Sequence, residues 1–237
     1  MSDQVKFQGR LGNHLFQYIA ARLFAEENGL RLTSPLPEND VVREMPRRDG
    51  ERVYGAPKSI TDADEIFSRP WPKARYIFDG YFQRSHWYHE RRARVLHCVE
   101  LPPIGEINRK DIVINLRVGD DYQSLNWTIH PSWYLKILKR EKFDRLHIVA
   151  DERNEEYLSY FREYAPIVTS SGRKGDWELL RSFDRIVTAN STFSWWAAYF
   201  SRASMIYTFQ RWVTHPIPRL HAFPNGVEVD GKFWHEA

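Results

Sequence analysis

The chain has 237 residues, 42% hydrophobic and 15% aromatic, with a formal net charge of +3. That composition supports a real core and excludes wholesale disorder, and the length suits one large domain or two smaller lobes. No apolar run approaches the roughly 20 residues that cross a bilayer, and Met1-Ser2-Asp3-Gln4 lacks the basic and apolar regions of a secretory leader.

Val5-Lys6-Phe7-Gln8 reads as a short strand running into Gly9-Arg10-Leu11-Gly12-Asn13, where two glycines bracket a charge. Glycine permits a tight turn and lets backbone N–H groups approach a ligand closely. Phe16, Ile19, Ala20, Leu23 and Phe24 then recur on one helical face, and Gly29 after Asn28 marks the helix end. Strand, glycine turn and amphipathic helix open an α/β unit. Arg10 and Asn13 beside the helix start tilt the turn from a purely structural role toward a polar site.

Residues 34–73 are rich in proline, charge and turn signals and predict irregular chain with at most short helices. Asp62-Ala63-Asp64 is formally an Asp-x-Asp pair of the kind that holds a metal-bound nucleotide. It follows no apolar strand, however, and after Thr61 its carboxylates suit the first turn of a helix, which is the favoured reading. Tyr76-Ile77-Phe78 predicts a strand that leads through Asp79-Gly80-Tyr81-Phe82-Gln83 into a helix reaching about Leu96. The lone cysteine, Cys98, excludes an internal disulfide and reads as a small buried side chain in a reducing, cytoplasmic compartment. Basic clusters at 43–52 and 91–94 suit a solvated face, with a nucleic acid or peripheral contact with an anionic membrane as alternatives. Pro102-Pro103-Ile104-Gly105 marks the lobe boundary, giving lobes 1–104 and 105–237.

The pattern then becomes regular. Strand Ile112–Leu116 is an apolar run of the kind buried in parallel sheets. It ends on Arg117 and turns sharply through Gly119-Asp120-Asp121-Tyr122. An arginine there grips a phosphate through its planar fork of donors, or closes the strand through an ion pair with Asp120 or Asp121. Helix 131–140, strand Leu146–Ala150 closing on Asp151, helix 155–164, strand 167–168, helix 176–182 and strand 186–188 follow. Such alternation predicts right-handed βαβ units and a doubly wound sheet. The last strand empties into Asn190-Ser191-Thr192, three cap-forming residues, so a helix begins there and aims free N–H groups at the strand ends. Capping alone needs one of the three. Trp195 and Trp196 are expected to pack that helix on the sheet, with a sugar-stacking platform as the alternative.

Gly9 to Tyr18 resembles the opening motif of the α-1,2-fucosyltransferases (glycosyltransferase family 11), and Gly80 to Gln83 resembles their second. Asn115 to Tyr122 is similar to the family's His-x-Arg-Arg-Gly-Asp-Tyr motif, and Asn190 to Ala198 to Asn-Ser-Thr-Phe-Ser-Trp-Trp-(Gly/Ala)-Ala. Order and spacing agree over residues 5 to about 213. The resemblance implies a GT-B-like α/β fold, two facing Rossmann-like lobes with parallel sheets. It also implies inverting, metal-independent transfer of L-fucose from GDP-L-fucose to a sugar hydroxyl, usually the 2-hydroxyl of a galactoside. No metal or other cofactor is expected. The partners are a nucleotide sugar and a glycan acceptor, with no nucleic acid.

Arg117, Asn13 and His14 are the expected catalytic residues, and Arg10, Gly12, Asn115, Arg117, Asp151, Asp176, Asn190, Ser191 and Thr192 the expected donor-binding ones, with Arg117, Asp176, Ser191 and Thr192 carried over by position from the resemblance. Asp176 corresponds to a carboxylate on the nucleobase, while Arg10 and Asn13 fall on the acceptor side. His14, Asp120 and Asp121 are the base candidates. Asn115 replaces the motif's histidine, Val118 its second arginine, and His14 stands where glutamine is usual. Two further readings stay open: a relative using another nucleotide sugar, and a non-catalytic nucleotide-sugar-binding module. A basic nucleic-acid binder would explain none of the four motifs.

Overall fold

The computed structural model describes residues 4–61, 63–68, 70–210 and 223–232, excluding the Asp120 side chain. They form two compact units that divide between Pro102 and Pro103. Both are α/β with parallel sheets, one of three strands and one of six.

The first unit runs β1 (Gln4–Val5), α1 (Leu11–Glu27), β2 (Arg43–Glu44), β3 (Lys58–Ile60), α2 (Ala63–Ile66), β4 (Tyr76–Phe78), α3 (Ser85–Glu90), α4 (Arg92–Leu96) and β5 (Val99–Glu100). Its parallel sheet has the order β1-β4-β3, and β2 pairs with β5 as a separate antiparallel ribbon. The sheet is smaller than a full Rossmann-like lobe because the proline-rich stretch before β4 supplies only short strands.

Helix α1 departs from the one-faced pattern: every residue from Leu15 to Ala25 is buried. Arg22 explains how a charge survives there. Its guanidinium donates to the carbonyls of Met45, Pro46, His97 and Cys98 and to the Tyr18 hydroxyl, and it pairs with Glu26. A buried charge is tolerated when its hydrogen bonds are met in this way. The helix ends at Gly29, φ +65°, with the Leu30 N–H on the Ala25 carbonyl at 2.8 Å. The single helix expected to reach Leu96 is two, broken at Arg91. That side chain turns away to Glu27 and lies over the Phe67 ring.

The second unit runs β6 (Ile112–Leu116), α5 (Asp120–Ser124), α6 (Pro131–Leu138), β7 (Leu146–Ala150) and α7 (Glu155–Ser159). It continues with β8 (Ile167–Thr169), α8 (Gly172–Arg181), β9 (Arg185–Val187), α9 (Thr192–Tyr199), β10 (Met205–Phe209) and β11 (Gly226–Val229). The sheet order is β11-β10-β9-β6-β7-β8, all parallel. Numbered within the unit this is 3-2-1-4-5-6, the dinucleotide-binding order, whose direction reverses between β6 and β9.

Alternation along the strands sorts the two faces. Ile112, Ile114, Leu116, Leu146, Ile148 and Ala150 pack with Trp133, Tyr134 and Ile137 of α6 and Tyr157 and Leu158 of α7. Helix α8 lies beside α9 and packs against β6 and β7. The helix expected over 155–164 is interrupted: α7 stops at Ser159 and a 3-10 turn (Arg162–Tyr164) ends at Ala165, φ +43°. Pro166 follows, and a residue before proline is disfavoured in the helical region. Helix α8 starts four residues before its expected start at Asp176, and the sharp Gly-Asp-Asp turn is the short helix α5.

Candidate functional site

In open parallel sheets, ligands bind beyond the carboxyl ends of the strands at the point where strand order reverses. Here those ends belong to β6, which leads into Arg117, and β9, which leads into Asn190 and Ser191. The strands are direct neighbours, with Ile114 opposite Val187.

Arg117 is held from several sides. Nη1 lies 3.1 Å from Asp151 Oδ2 and Nη2 3.6 Å from Asp121 Oδ2, while the guanidinium sits 4.3 Å over the Tyr122 ring. The Asp151 contact follows from register: Leu116 pairs with Ala150, so the next residue on each strand faces the other. Asp151 also accepts the Val118 N–H at 2.9 Å. Gly119 makes room for this approach, since a Cβ there would lie 2.9 Å from Asp151 Oδ2 and 2.8 Å from Glu152 Oε1. The ion pair expected with Asp120 or Asp121 thus involves Asp121, with Asp151 closer still. Among the described residues, Arg117 Nε is buried without a partner.

A chain of contacts leads from Arg117 to the end of β9. Tyr122 meets Trp127 edge to face, ring centroids 5.8 Å apart, and the Trp127 carbonyl accepts from Asn190 Nδ2 at 3.5 Å. Ser191 is the N-cap of α9 and accepts the Phe193 N–H; Thr192 is the first helical residue. Arg117, Asp151, Asn190, Ser191 and Thr192 therefore share one end of the sheet. Trp127, which sequence reasoning misses, is the link, and nothing local in the sequence marks it. Trp195 and Trp196 are buried and stack on Tyr199 and Phe200, which places them in the packing and offers no sugar platform.

Two expected donor residues lie elsewhere in the unit. Asn115 is inside β6, 3% exposed, its Nδ2 on the Val149 carbonyl at 3.0 Å and its Oδ1 buried without a partner among the described residues. Asp176 Oδ1 accepts the Ser171 N–H at 2.8 Å and the Ser171 hydroxyl at 3.0 Å, tying down the start of α8. A cavity of about 570 Å³ opens beside α8, lined among others by Pro103, Thr169, Ser171, Glu178 and Arg181. It includes no residue of β6 or β9. Strand order is the better guide to the site, because the cavity flanks the edge strand β8.

In the first unit the two glycine motifs converge. Strands β1 and β4 are parallel neighbours, so the Gly9-Arg10 turn and the Gly80 turn leave the sheet side by side. Helix α1 begins at Leu11, which puts Gly12, Asn13 and His14 in its first turn, with Arg10 as an exposed N-cap. Gln83 Nε2 donates to Asn13 Oδ1 at 3.0 Å. Gly9 has φ +78°, and a Cβ there would lie 2.2 Å from Asn13 Nδ2. His14 packs edge to face on Phe7, and burial holds its imidazole below the ordinary pKa of 6.5 against a backbone hydrogen bond at Gly9.

Of the Asp-x-Asp pair, Asp62 lies outside the described residues. Asp64 takes both arms of Arg84, at 2.7 and 3.0 Å, which hold its carboxyl below the usual range. No cluster of metal-ligating side chains occurs among the described residues, nor a helix long and apolar enough to cross a membrane. Part of the basic clusters is spent internally, Arg47 on Glu44 and Arg94 on Glu26 and Glu27. No family model matches the chain, and neither does any curated protein or solved structure.

Proposed function

We propose that the protein is an inverting, metal-independent glycosyltransferase of the α-1,2-fucosyltransferase type, using GDP-L-fucose as donor and a sugar hydroxyl as acceptor. The observation that carries this reading is the strand reversal between β6 and β9, whose ends bear Arg117 and the capped start of α9. A GT-B-like pairing of the two units belongs to the same proposal.

In the reaction the acceptor oxygen attacks the anomeric carbon and the bond to the β-phosphate oxygen breaks. The bonding pair leaves with GDP, and the hydroxyl proton passes to a base. Negative charge then grows on the diphosphate, where fixed donors act most strongly. Arg117 and the N–H groups at the start of α9, with the Ser191 and Thr192 hydroxyls, supply them. Asp151 orients the guanidinium, and Asp121 is the counterion that a diphosphate displaces. His14 is the candidate base, since burial keeps its ring neutral near pH 7.

The test is a thermal-shift panel of GDP, UDP and dTDP. GDP should stabilise the protein selectively, by about 2.7 kcal/mol at a hundredfold excess over Kd. Equal response, or preference for UDP or dTDP, overturns the donor. One observation favours a second reading, a non-catalytic nucleotide-sugar binder: Arg117 is matched by Asp151 and Asp121. Slow hydrolysis of GDP-L-fucose, lost in Arg117→Ala, separates the enzyme from the binder.

A further inference from the structure

The turn after β4 carries a backbone conformation that bulky side chains avoid. Phe82 has φ +53°, yet it is an aromatic residue and 3% exposed. Such strain persists only where its surroundings fix it, and it concentrates at sites of function. Here the fixing is specific. The Tyr88 hydroxyl donates to the Phe82 carbonyl at 2.6 Å, and the Phe82 ring packs on Phe78 at 6.0 Å. Gly80 lies flush on the neighbouring chain, where a Cβ would stand 2.4 Å from the Thr61 carbonyl oxygen.

What this rigid turn presents is Tyr81. It is 47% exposed and, among the described residues, has neither a hydrogen-bond nor a ring partner. A lone tyrosine on a loose loop would be unremarked. One held out by a strained, fully braced turn is different. Two residues further on, Gln83 Nε2 bonds Asn13 Oδ1. Among the described residues Gln83 Oε1 and Asn13 Nδ2 have no other bond, which leaves one acceptor and one donor.

We infer that Tyr81, with the Asn13–Gln83 amide pair, forms a carbohydrate subsite that seats the acceptor glycan. A pyranose ring has a face of C–H groups and a rim of hydroxyls. The face suits an aromatic platform and the rim suits amides that both donate and accept. The inference rests on the proposed transferase reading for the identity of its ligand.

The experiment compares the full-length wild type with Tyr81→Ala and Tyr81→Phe. Saturation-transfer NMR with methyl β-D-galactopyranoside should show transfer to the C–H face of the sugar in wild type and Tyr81→Phe, and lose it in Tyr81→Ala. In turnover assays Tyr81→Ala should raise the acceptor KM about five- to tenfold, the scale of one aromatic stacking contact, with donor KM unchanged. GDP thermal shifts are measured on the same three proteins. Unchanged sugar contact in Tyr81→Ala, or none in wild type, overturns the subsite while an intact GDP shift leaves the donor reading standing. Sugar contact that depends on Tyr81 without any GDP response supports the subsite and removes the donor reading.

Discussion

Arg117 is gripped unequally by its two carboxylates, and the inequality has measurable consequences. Asp151 is 17% exposed at 3.1 Å, whereas Asp121 is 42% exposed at 3.6 Å. An exposed, longer ion pair is worth little, while a partner that fixes geometry matters for binding. Asp121→Asn should therefore tighten GDP binding severalfold, and Asp151→Asn should weaken it about tenfold, both read by titration calorimetry. Arg117→Ala should fold normally and lose about a hundredfold or more in turnover, the typical loss of one fixed donor. Burial pushes the Cys98 thiol up to about 12, so it stays protonated at pH 8. Iodoacetamide at that pH should label the unfolded chain and spare the native one, as mass spectrometry would show. If His14 is the base, as proposed, it sets the acid side of the pH profile. Its folded pKa is depressed by burial, so its share of stability is complete above 6.5 and is lost as pH falls through the folded value. Activity that needs the neutral ring should likewise fall only below 6.5 in a pH–rate profile. Arg117 at the end of its strand and the Ser191 cap of α9 are legible in the sequence because each signal is local. Asp151's role is not, since it follows from the register of two strands. Nor is Arg22's, whose partners are carbonyls that no side-chain pattern announces.

The elements that read most clearly are those whose pattern is self-contained. β6, β7 and α1 carry long apolar runs with turn residues at their ends, and the structure places them close to where periodicity does. The start of helix α8 is hidden because Gly172 and Gly175 are poor helix formers; the Ser171–Asp176 contact overrides that preference. Strand β11 escapes the pattern because four residues with a glycine and a glutamate show no period of their own. Two glycines make the opposite kinds of demand. Gly29 has φ +65° with nothing within 4 Å of where a Cβ would stand, so Gly29→Ala should cost about 1 kcal/mol of backbone strain alone. Gly80→Ala pushes a methyl into the Thr61 carbonyl at 2.4 Å and should cost about 2 kcal/mol or more. Urea titrations of the two variants would rank them.

At the scale of the whole molecule, two compact units with their own buried residues need not unfold together. Calorimetry should resolve two transitions, and GDP should raise only the one that belongs to the unit containing Arg117. The sheet order of that unit carries one more consequence. Val113 and Ile186 touch across its middle although they lie far apart in the chain. During translation β6, β7 and β8 leave the ribosome first and can pair among themselves, whereas the facing half arrives late. If the proposed site binds a nucleotide, a nascent chain that stops before β9 holds Arg117 without the start of α9 and should capture none. On that proposal, competence for ligand waits for β9 and α9, a timing that strand order alone would impose.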